Sequence, residues 1–143
     1  MSAASWIRIG AISGALAVAF GAFGAHGLAP KPEVLNAMEM SARQATERRL
    51  ANFETAARYH IYHALAIVAM GLLSAGRSRT VAGWCFVLGT LAFSGSLYAI
   101  GFGGPSWLGM IVTPTGGVLF IVGWIAMAIS AGSFAKTAPS VVE

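Results

Sequence analysis

Histidine, tyrosine, glutamate and arginine crowd one short stretch of this chain, and any chemistry should be done there. Glu54, Arg58, Tyr59, His60, Tyr62 and His63 fall close together, and His26 closes an earlier apolar run. On a helix, Glu54 and Arg58 are four apart and can form an ion pair. Tyr59 and His63 share a face, while His60 and His63, three apart, project close together. Imidazoles placed this way can ligate a metal or a haem, or relay a proton. Farther along, Ser94, Ser96 and Tyr98 carry hydroxyls able to hydrogen-bond to this cluster across helices.

The same residues also have a plainer reading. Histidines and tyrosines in the first turns of a membrane helix anchor it at the headgroups, and a histidine near a helix C-terminus gains from the dipole. A His-x-x-His pair without cysteine or a second carboxylate is a weak metal pattern. The sole cysteine, Cys85, lies inside an apolar stretch, where a thiol behaves as a small hydrophobe. The sequence therefore favours a structural polar cluster of His26, Glu54, Arg58, Tyr59, His63, Ser94, Ser96 and Tyr98. No catalytic residue, metal or cofactor is expected.

The elements that must position these residues are apolar and long. Four stretches, about 6–24, 59–76, 80–101 and 114–134, approach the ~20 residues needed to span a ~30 Å hydrocarbon core. With 57% hydrophobic and 10% charged residues and a mean hydropathy of +0.72, the 143-residue chain reads as an all-α integral membrane four-helix bundle forming a single domain. An amphipathic helical segment is expected in the first loop, 30–58, with Glu39 and Arg43 spaced to pair. The phase slips near Arg48 and Arg49, so Asn52 is read as the cap of a new helix. A net charge of +4 places basic residues beside apolar spans rather than in an exposed stripe, which argues for headgroups and against nucleic acid.

Smaller signals refine this picture. Gly27 and the prolines at 30 and 32 end the first helix, and Thr113–Pro114 reads as the start of the last. The first span is too long, and its glycine-rich end too helix-like, for a cleavable signal peptide. Gly10, Gly14 and Gly21 leave a smooth face for close helix packing, as do Gly89 with Ser96 and Gly116 with Gly123. Trp6, Trp84 and Trp107 fall near span ends, while Trp124 lies mid-span and needs a partner for its N–H or faces lipid. Arg8, Arg77, Arg79 and Lys136 put both termini in the cytoplasm, although the basic residues of the first loop pull the other way.

Together, Gly21–Leu28 (GAFGAHGL), Phe53–Leu65 (FETAARYHIYHAL), Phe93–Tyr98 (FSGSLY), Thr113–Gly117 (TPTGG) and Gly123–Trp124 resemble the signature blocks of the transmembrane protein 256 family, which includes YgdD-like and YwdK-like proteins. The resemblance covers all four spans in order. It implies a small multi-span protein of the bacterial inner membrane, with eukaryotic relatives and no established biochemical role. Against that pattern, the first loop is longer through 32–50. His60 also stands where glutamine is commoner, which leaves His26 and His63 as the better ligand candidates.

Three functions are compatible with these residues. The first is a non-enzymatic protein of the lipid bilayer, either a homo-oligomer or an accessory subunit of a larger complex. The second is a haem- or metal-binding redox accessory protein using His26 and His63. The third is a transporter or channel lined by Ser94, Ser96, Thr113 and Thr115, which lacks a mid-span charge to couple ions.

Overall fold

A computed structural model describes residues 1–134, which are helical apart from short connections and contain no strand. Helix α1 is Ala3–Phe23, prolonged by one wider π-type turn at Gly24–Leu28. A short α2, Pro32–Ala37, leads into the long α3, Met40–Met70. Helices α4, Arg77–Gly101, and α5, Trp107–Phe134, complete the fold.

The central pair is α3 and α4, with α1 packed on α3 and α5 packed on α4. Glycines set how closely these helices approach. Gly10 lies against Val68 and Ala64, Gly14 against Ile61 and Ala64, Gly21 near Ala57, and Gly24 against Phe53, so the smooth face of α1 runs antiparallel down α3. Gly89 of α4 faces Phe120, and Gly116 and Gly123 of α5 sit on Phe93 and Phe86. In lipid, where burial of apolar surface supplies little drive between helices, such close approach supplies dispersion contacts.

Outward positions carry large apolar side chains. Ile12, Val18, Leu65, Leu91, Met110, Ile121 and Ile129 are all more than half exposed. This is the surface expected of a helix bundle solvated by hydrocarbon. Among the described residues, three helical segments are long and apolar enough to cross a membrane: Ala3–Leu28, Arg77–Gly101 and Trp107–Ala131. Helix α3 is long but interrupts its apolar character with Glu54, Arg58 and the aromatic and histidine run.

Several local expectations change. Helix α3 has no break at Arg48 or Asn52; it is continuous from Met40, so most of the segment expected as a separate amphipathic helix is its first half. Arg49 explains how the charge at the phase slip is used: its Nε donates to the Gly101 carbonyl at 3.2 Å, capping the end of α4. Helix α3 also ends at Met70, before a turn leading to Gly76.

Helix α5 starts at Trp107, leaving Pro114 inside it. The apolar residues before the proline extend the helix backwards, and its ring already holds a helical φ. Thr113 reinforces that turn, with its Oγ1 2.6 Å from Ser96 Oγ and 3.3 Å from the Leu108 carbonyl. At the end of α1, the chain continues helically past Gly27 to Leu28 rather than stopping.

Trp6 lies in the first turn of α1, where it is fully buried with its indole over Gly83 of α4. The missing side chain at Gly83 makes the room. Lys136 and the C-terminus lie outside the described residues.

Candidate functional site

The polar cluster divides into two groups, one on each side of the α3–α4 pair. The first is centred on His60, 7% exposed, where α1, α3 and α4 converge. Its Nε2 lies 3.0 Å from Ser13 Oγ on α1, and its Nδ1 lies 3.3 Å from the Tyr98 hydroxyl on α4. One imidazole thereby links three helices through both ring nitrogens. The Tyr98 ring stacks on Phe20 at 4.6 Å and packs against the buried Phe53, which fixes its hydroxyl toward His60.

Beside this chain of hydrogen bonds is a cavity of about 540 Å³. Ser13, His60, Thr90, Ser94 and Tyr98 contribute to its lining, and the remaining walls are aliphatic or aromatic apart from Gly95. Ser94 is 1% exposed and its Oγ has no partner among the described residues. Thr90, one turn earlier, returns its hydroxyl to the Phe86 carbonyl at 2.8 Å.

The second group surrounds His63, 4% exposed, between α3 and α5. Nδ1 of His63 is 2.8 Å from the Tyr59 carbonyl, and the Trp124 indole N–H donates to Nε2 at 3.3 Å. An indole nitrogen only donates, so Nε2 must accept and the proton must sit on Nδ1. The geometry thus assigns one neutral tautomer. Phe120 lies flat against the imidazole, with ring centroids 3.3 Å apart and planes within 4°. Tyr59 of α3, Phe93 of α4 and Trp124 of α5 line the same groove.

Residues expected to join one cluster are therefore distributed. His60 and His63 face different grooves. Glu54 and Arg58 form their ion pair at 2.5 Å, but their side chains are 71% and 56% exposed. An exposed pair of this kind adds little stability. His26 lies exposed in the turn after α1 and makes no hydrogen bond to the cluster among the described residues. Ser96 turns to α5, meeting Thr113 at 2.6 Å, on the side of α4 opposite Ser94. No three His, Cys, Asp or Glu side chains gather as a metal ligand set among the described residues.

Sequence reasoning passed over Ser13, although it is the one hydroxyl in the middle of the first span and that isolation was a usable signal. It also passed over Arg79 as anything but a topological charge. Arg79 is 5% exposed and donates to the Leu73 carbonyl at 3.0 Å and the Met1 carbonyl at 2.9 Å, clasping the chain start to the α3–α4 turn.

Comparisons with known proteins agree with a membrane protein. A family model described as protein of unknown function (DUF423) matches residues 20–117, which include every residue of both histidine groups except Ser13, Phe120 and Trp124. The UPF0382 membrane protein YwdK of Bacillus subtilis is 40% identical over 130 residues, covering 88% of this chain and 94% of that one. A UPF0382 membrane protein of Staphylococcus epidermidis is 39% identical over 132 residues, covering 91% and 97%. One from Haemophilus influenzae is 34% identical over 133 residues, covering 90% and 93%. No solved structure matches. The YwdK-like resemblance of the motif blocks is thereby shown, and the chain belongs to the DUF423 family of helical UPF0382 membrane proteins, whose biochemical role is not established.

Proposed function

We propose that this chain is a non-enzymatic, four-span protein of the bacterial cytoplasmic membrane. It acts as a homo-oligomer or as an accessory subunit of a larger membrane complex, with both termini in the cytoplasm. The observation that carries this reading is the use of both buried histidines. Each has both ring nitrogens engaged within the chain, His60 by Ser13 and Tyr98 and His63 by Tyr59 and Trp124. A ligating imidazole needs a nitrogen lone pair directed at the metal. These imidazoles spend theirs holding helices together.

Support for α3 as the fourth span comes from its pairing with α1. Gly10 faces Val68 and Gly24 faces Phe53, so the 53–70 portion of α3 runs beside the apolar length of α1. At 1.5 Å per residue that portion is about 27 Å long, close to the hydrocarbon thickness. The shared motif blocks extend the same reading to the YgdD-like and transmembrane protein 256 proteins.

The test is native mass spectrometry of protein released from membranes in mild detergent, with absorbance and elemental analysis of wild type and His63→Ala. A colourless, metal-free protein recovered as a defined oligomer or with a stoichiometric partner, and destabilised by His63→Ala, supports the proposal. A stoichiometric haem or metal lost in His63→Ala refutes it.

A further inference from the structure

Five threonines of this fold, Thr46, Thr55, Thr80, Thr90 and Thr115, return their hydroxyls to the carbonyl four residues back. That bond is the default for a helical hydroxyl with nothing else to do. Ser94 lacks it, although it is 1% exposed and lines the cavity between α1, α3 and α4. A buried hydroxyl with no partner is costly, and a bound molecule that supplies one removes that cost.

The cavity defines that occupant chemically. None of its lining residues is Asp, Glu, Lys or Arg, so the occupant is neutral. A volume of about 540 Å³ falls in the range of small-molecule pockets and is too small for a helix. Ile12, Leu16 and Leu91, which line it, are 64%, 49% and 67% exposed on the lipid-facing surface, so entry is from the bilayer.

Depth narrows the class further. Ser13 is near the middle of Ala3–Phe23, about 15 Å along the axis from either end of that helix. Glycerol ester oxygens and the hydroxyl of a fatty alcohol stay at the membrane interface, at a distance of about half the ~30 Å core. An oxygen that reaches this depth must belong to a molecule whose polar atoms dissolve in hydrocarbon. Phe20, Tyr98 and Phe102 in the same lining supply flat faces for a ring.

We propose that this cavity binds a neutral membrane quinone or quinol, with one ring oxygen at the Ser94 hydroxyl and the Ser13–His60–Tyr98 chain alongside. The proposal concerns binding alone and involves no electron transfer by this chain. It stands apart from the subunit role above, since a structural subunit can carry the ligand or lack it.

Gly95 provides the decisive variant. It lines the cavity, and a Cβ added there meets no atom within 4 Å, so a larger residue begins in open space at the cavity wall. The full chain is placed in phospholipid nanodiscs and titrated with a short-tailed 1,4-benzoquinone and a 1,4-naphthoquinone, with a tail-matched alcohol as competitor. Saturable binding of one quinone per chain is expected, without displacement by the alcohol. Gly95→Phe should weaken it at least about ten-fold, and Ser94→Ala about three- to ten-fold with the unliganded Tm retained. Unsaturable partitioning, equal binding by wild type and both variants, or displacement by the alcohol would each overturn the assignment.

Discussion

The Trp124 indole N–H meets Nε2 of His63 at 3.3 Å, and through that single bond α5 is tied to α3 across a groove where their backbones scarcely touch. Phe120, stacked on the other face of the interaction, holds the imidazole flat. Both partners of the bond are side chains that hydrocarbon solvates poorly. Each satisfies the other, and the tautomer of His63 is set as a by-product.

Removing either member should therefore expose a cost. Trp124→Phe keeps the ring and leaves Nε2 of His63 without its donor, with an expected loss of about 1–2 kcal/mol. His63→Ala also removes the stack on Phe120 and should lose about 2–4 kcal/mol. Thermal unfolding in detergent, read by circular dichroism across the double-mutant cycle, should show a coupling of about 0.6–1.5 kcal/mol. Strict additivity would mean that the bond contributes nothing.

Arg79 is expected to separate structure from topology. Arg79→Met keeps the aliphatic stem but abandons the carbonyls of Leu73 and Met1, at about 1–3 kcal/mol for each bond lost. Arg77→Met, an exposed neighbour, should leave stability within about 0.5 kcal/mol. Chemical denaturation of the two variants side by side distinguishes them, and equal effects would contradict the clasp.

Glycines should differ by what faces them. Gly10→Val drives a side chain into Val68 and the Ala64 carbonyl, and about 1–3 kcal/mol is the expected loss. Gly76→Ala meets open space at an extended backbone and should be silent. Tm values for the pair are the measurement, and a tolerated Gly10→Val would refute the close α1–α3 approach.

The Glu54–Arg58 pair is expected to matter least. With both side chains mostly exposed, Glu54→Gln should change the unfolding free energy by no more than about 0.5 kcal/mol. A loss several times larger would show that this pair is buried by something outside the chain.

Much of the frame was readable because it rests on local pattern. The spacing of Gly10, Gly14 and Gly21 announced a packing face, and α3 received it. The polar cluster was harder to read, because helical spacing says which residues share a face but not which neighbour that face meets. His60 and His63 looked like one site, yet a turn of some 60° between them is enough to aim one at α1 and the other at α5. His60 gained its importance from Ser13, 47 positions away, and Trp124 found its partner 61 positions away. Thr113–Pro114 misled because a proline that favours a helix start is also tolerated inside a membrane helix, where neighbouring groups take up the carbonyl it frees.

The order of packing along the chain has a consequence for biogenesis. Helix α1 rests on α3 rather than on anything made just after it, and α4 and α5 follow as an antiparallel pair joined by a short turn. As the ribosome extends the chain, α1 must wait in lipid with its glycine face bare until α3 has emerged. The last two helices can instead dock almost as soon as they are made. A chaperone or insertase that shields a nascent protein would therefore be needed most at the beginning of this one, after α1 has entered the membrane and before α3 has joined it.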